Sequence, residues 1–97
     1  MITMALDNPK LDLDVLRNIE NKIRENREDV EDLKLLNHFI SSVDKDYINL
    51  KMKENNIHSF EEYISERKKP YSQQNPNLSI FVGNLLAIIS FLKTSLT

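Results

Sequence analysis

The sequence predicts an all-α protein: a three- to four-helix bundle with a long amphipathic helix or helical hairpin and an apolar C-terminal helix. Apolar residues recur at steps of three and four between residues 13 and 50, which is the helical period. Eleven of the fifteen residues at 78–92 carry apolar side chains, over a length that favours a helix. The 97 residues include one glycine, which argues against a protein built from tight hairpins.

The first half of the chain fits two helical arrangements. Residues 1–10 are predicted to form an N-terminal arm and residues 11–97 a single helical domain, whose first helix Asp12 or Asp14 can cap. Either helices run over 12–25 and 28–54, or the two merge into one helix of about 40 residues. We favour the merged helix, because no glycine or proline interrupts it and Asn26 is only a mediocre helix former. A helix of that length would favour dimerisation.

The second half contains two further predicted helices. Ser59 and Glu62 have the spacing of a capping box, so a short helix is expected over 59–69, ended by Pro70. Residues 70–77 then read as a polar linker, and the apolar helix is expected over 77–95. The predicted core consists of Leu16, Ile19, Ile23, Val30, Leu33, Leu36, Ile40, Val43, Tyr47, Phe60, Ile64, Phe81, Leu85, Ile88, Ile89 and Leu92.

Charge is distributed unevenly along the chain. Residues 1–32 carry nine acids and five bases, residues 33–69 carry six acids and seven bases, and residues 70–97 carry one charge, Lys93. The formal net charge is −2, and no stripe of Lys and Arg follows one face. Nucleic acid is therefore not expected as a partner.

The residues that usually carry chemistry are missing or badly spaced. The absence of cysteine excludes a thiol nucleophile and a Cys-based zinc site, and a single glycine excludes a phosphate-binding loop. His38 and His58 stand twenty residues apart without a metal-ligand spacing. We therefore expect no enzyme activity, no catalytic residue, no cofactor and no metal.

Six residues are candidates for contact with a partner. Four are aromatic residues with large apolar area, and two are small residues at a spacing that lets helices approach closely: Phe60, Tyr63, Phe81, Phe91, Gly83 and Ala87. Each has a simpler interpretation. The aromatic residues suit the core, and Gly83 and Ala87 suit close packing against another helix of the same chain.

These observations predict a non-catalytic helical protein-interaction module that acts through apolar helix faces. Such a module would be an adaptor, an inhibitor or an assembly subunit. Its expected partner is another protein or a second copy of itself, and a homodimer is favoured.

One alternative is a small membrane-associated protein anchored by the C-terminal helix, although an apolar stretch of 15 residues is shorter than the roughly 20 that span a bilayer. A nucleic-acid-binding regulator is the second alternative. The N-terminus lacks the pattern of a secretory signal, so a cytoplasmic location is expected.

Overall fold

The computed structural model describes residues 12–96, so the predicted arm at 1–10 lies outside the described residues. This part of the chain folds into five α-helices without a strand, which confirms the predicted all-α class. The helices are α1 (Leu13–Arg24), α2 (Val30–Asp44), α3 (Tyr47–Glu54), α4 (Phe60–Arg67) and α5 (Leu78–Leu96). The predicted linker holds a short 3₁₀ helix, Tyr71–Gln73.

The expectation of one merged helix over 12–54 is wrong at Asn26. This residue has a left-handed backbone with φ of 57°, and the Arg27 N–H donates to the Lys22 carbonyl over 2.7 Å. That bond satisfies a carbonyl that the helix end would leave free. Asp29 then starts α2 with a reciprocal capping box to Asp32. Asparagine adopts the left-handed conformation more readily than most residues, so it ends a helix without glycine or proline.

A second break, at residues 45 and 46, also interrupts the predicted 28–54 helix. The Asp46 N–H bonds to the Asp44 side chain at 3.3 Å, a local bond that competes with the helical backbone. The break shifts the helical phase, so Ile48 is buried and the predicted core residue Tyr47 is only partly buried. Val43 lies in the last turn of α2, before the break, and is 58 % exposed. The prediction of Val43 as a core residue is therefore wrong.

The α3–α4 connection repeats the α1–α2 connection. Asn56 is left-handed with φ of 59°, and the Ile57 N–H donates to the Met52 carbonyl over 2.9 Å. Three residues later Ser59 caps α4 by accepting from the Glu62 N–H at 3.0 Å, as predicted. The Glu62 carboxylate accepts from the His58 N–H rather than from Ser59 itself.

Replacing Asn56 tests the role of the left-handed turn. We expect Asn56→Ala to lower the free energy of unfolding by about 1 kcal/mol, because alanine lacks the short polar side chain that makes the left-handed conformation accessible to asparagine. Asn56→Gly should change it by less than about 0.5 kcal/mol, because glycine has no Cβ. Urea unfolding of both variants gives the comparison. An equal loss in the two would show that the backbone conformation is not the cause.

The core lies beneath α5. Ten predicted core residues are buried there: Leu16, Ile19, Ile23, Leu33, Leu36, Ile40, Phe81, Leu85, Ile89 and Leu92. Tyr47, Phe60, Ile64 and Ile88 pack against them partly buried, and Val30 is half-buried. Six buried residues were not in the predicted core: Phe39, Ile48, Met52, Ile57, Tyr63 and Leu78.

Two helices flank α5, and both run antiparallel to it. The Glu20 carboxylate of α1 bonds to the Lys93 ammonium of α5 at 2.6 Å, and Leu13 lies near Thr94 across a shallow groove. On the other flank, the Tyr47 hydroxyl of α3 donates to the Asn84 carbonyl over 3.4 Å. The Asn75 amide, just before α5, donates to the Asn55 carbonyl after α3 over 3.0 Å. One face of α5 is thereby left uncovered by these helices.

The Glu20–Lys93 ion pair makes stability depend on pH. Lys93 holds the pKa of Glu20 below its ordinary value of 4.5, against the opposing effect of burial, and Arg24 adds to the lowering. Because the folded state favours the carboxylate, its stabilisation is complete above the unfolded pKa and is lost as pH falls through the lower folded pKa.

We therefore expect Lys93→Met to reduce the free energy of unfolding by about 1 kcal/mol at pH 7 and to flatten its decline below pH 4.5. Urea titrations from pH 7 to about pH 2 measure both effects. Lys68→Met, at an exposed position, is the control and should leave the profile unchanged. An unaltered acid limb in Lys93→Met would contradict the assignment.

A second polar cluster joins α4 to the α1–α2 connection. The Arg67 guanidinium bonds to the Glu28 carboxylate at 2.8 Å and also donates to the Ile23 carbonyl at the end of α1. The Tyr63 hydroxyl donates to the same carboxylate at 2.5 Å. Burial, with Glu28 beside it, raises the pKa of Tyr63 above its ordinary value of 10.0, so the phenol stays protonated.

Candidate interaction surface

The most distinctive surface of the described residues is the side of α5 that α1 to α4 leave uncovered. The buried side of α5 consists of Leu78, Phe81, Leu85, Ile89 and Leu92. We call the opposite side the outer face of α5, and it consists of the exposed residues Ser79, Ile80, Gly83, Ala87, Ser90, Phe91 and Thr94. At about 1.5 Å per residue, α5 is about 28 Å long, so this face extends across much of the molecule.

The outer face carries no charged side chain, although the chain has 28 charged residues, 13 basic and 15 acidic. Ile80 is 56 % exposed and Phe91 is 49 % exposed. Between them, a Cβ added at Gly83 would meet no described atom within 4 Å. Soluble surfaces are usually interspersed with charge, so a neutral helix face with two exposed bulky residues is typical of a contact surface.

The two flanks of this face differ in polarity. Ser90 and Thr94 lie towards α1, where they share a shallow groove with Arg17 and Lys93. The Asn84 carbonyl accepts a hydrogen bond from the Tyr47 hydroxyl, so this side of α5 faces α3. Ile80 precedes Asn84 by four residues and Phe91 follows it by seven, so both lie on the same side of the helix. The α1 flank is therefore charged. The α3 flank combines two apolar side chains with Lys51, whose ammonium lies 5.7 Å from the centroid of the Tyr47 ring and pairs with Glu54.

Leu50 adds a third apolar side chain on the α3 side. It follows Tyr47 by three residues, so it lies on the same side of α3 one turn on. Since α3 runs antiparallel to α5 from Asn84 towards Asn75, Leu50 stands at the level of Ile80. Leu50 is 51 % exposed. Together Leu50, Ile80 and Phe91 are what we call the apolar residues of the α3 side.

The structure divides the six sequence-predicted contact residues into two groups. Tyr63 and Phe81 are fully buried and pack edge to face with ring centroids 5.3 Å apart, and Phe60 packs partly buried against the core. These three stabilise the fold. Gly83, Ala87 and Phe91 lie together on the outer face of α5.

The expected close packing of Gly83 and Ala87 against another helix of this chain is wrong for the described residues. Both positions are exposed, because the bulky side of α5 faces the core and the small residues face outward. Sequence reasoning missed Leu50 and Ile80 as surface residues. The signal for Ile80 was its place in the same helical phase as Ala87 and Phe91, opposite Leu85.

Two further properties bear on function. By length and composition α5 is long and apolar enough to cross a membrane, a test that a core helix of a soluble protein also passes. Within residues 12–96, no group of three or more His, Asp or Glu side chains is placed to hold a metal ion.

Comparison with protein-family models, with curated proteins and with solved structures gives no match for this chain.

Proposed function

We propose that the chain is a non-catalytic helical interaction module that associates with a second copy of itself through the outer face of α5. The observation that carries the proposal is the neutral face between Ile80 and Phe91, on a chain in which charged residues make up 29 %. Burying exposed apolar side chains against a partner helix is a common mode of recognition.

Two features favour a second copy as the partner. A neutral face meets its own copy without like-charge repulsion, and an isologous dimer needs only one self-complementary surface. The small side chains at Gly83 and Ala87 let the backbones of two α5 helices approach closely, which increases the area in contact. The apolar residues of the α3 side, which include Leu50, add to the buried area.

Sedimentation of the purified chain over a range of concentrations tests this proposal. We expect the mass to rise from that of one 11.4 kDa chain towards that of two. Ala87→Asp should raise the dissociation constant by about tenfold or more, because it places an unpaired carboxylate in an apolar contact. The matched control is Asn18→Asp, which adds the same charge at an exposed position on α1 and should leave association unchanged.

A chain that stays monomeric at all concentrations, or equal weakening by Ala87→Asp and Asn18→Asp, would overturn the proposal. Retention of a dimer in Ala87→Asp would also do so, since it would place the contact elsewhere.

The length and apolar character of α5 favour one second candidate, a membrane anchor. Insertion would require α5 to leave the core, which would uncover Leu16, Ile19 and Ile23 of α1. That cost makes it the weaker candidate. Flotation with phospholipid vesicles separates the two, because an anchored chain would float with the vesicles whereas a dimer would remain at the bottom of the gradient.

A further inference from the structure

We draw no further inference here: the strongest candidate, the outer face of α5 with Leu50 of α3 beside it, belongs to the surface already described, and nothing in the structure shows how a second copy would lie on it.

Discussion

Leu85→Asp is expected to abolish cooperative unfolding of this protein at 25 °C. Leu85 is completely buried in the middle of the packed side of α5. Aspartate removes most of the apolar side chain and introduces a carboxylate that must either remain charged without a partner or take up a proton. Small domains have a total stability of about 5–15 kcal/mol, and an unpaired buried charge costs a large part of it.

Thermal unfolding followed by circular dichroism measures this effect. Leu85→Ala gives a graded version, with an expected loss of about 2–5 kcal/mol in urea. Asn18→Asp is the control: it adds the same carboxylate at an exposed position on α1, outside the outer face of α5, and should change the stability by about 0.5 kcal/mol or less. A cooperative transition with an unchanged midpoint in Leu85→Asp would show that α5 does not pack on this side.

The contrast between the buried Leu85 and the exposed Ala87 shows what sequence periodicity predicts well. The apolar spacing of α5 identified Phe81, Leu85, Ile89 and Leu92 as core residues, and all four are buried. This worked because one helix runs without interruption from Leu78 to Leu96, so that a single phase applies throughout. The exposed phase of the same helix then contains Gly83, Ala87 and Phe91.

Periodicity failed where the backbone leaves the helix without glycine or proline. Asn26 takes the left-handed conformation and ends α1, although the apolar spacing continues through it. At residues 45 and 46 the break changes the phase, so that Ile48 is buried and the expected core residue Tyr47 is only partly buried. The sequence does contain a signal for these helix ends. Asn26 and Asn56 are each followed three residues later by a capping residue, Asp29 or Ser59.

The candidate contact surface was harder to predict than the fold. An apolar residue faces solvent when no neighbouring helix covers its side of the helix. The spacing of apolar residues along the sequence does not show how many sides are covered. Leu50 and Ile80 come from different helices, and sequence spacing does not show that α3 and α5 run antiparallel. Tyr63, expected as a contact residue, is buried because its hydroxyl finds a partner in Glu28, which lies 35 residues earlier.

Glu28→Ala is expected to lower the free energy of unfolding by about 3–5 kcal/mol, because it leaves a buried cation without its counter-charge. The Glu28 side chain is 1 % exposed and that of Arg67 is 15 % exposed. The Tyr63 hydroxyl would lose its acceptor in the same change. Urea unfolding measures the loss, and Glu25→Ala is the control, since its ion pair with Arg27 is exposed and should contribute about 0–1 kcal/mol.

The triple change Glu28→Met, Arg67→Met and Tyr63→Phe separates the cost of an unpaired charge from the worth of the cluster itself. Replacing a buried ion pair by apolar residues of similar size is often close to neutral, because the desolvation cost of both charges disappears with their attraction. We therefore expect the triple variant to be more stable than Glu28→Ala. It should still fall below the parent chain, since Arg67 also satisfies the Ile23 carbonyl at the end of α1. A triple variant less stable than Glu28→Ala would contradict this expectation. It would mean that the contacts within the cluster stabilise the fold by more than an unpaired Arg67 destabilises it.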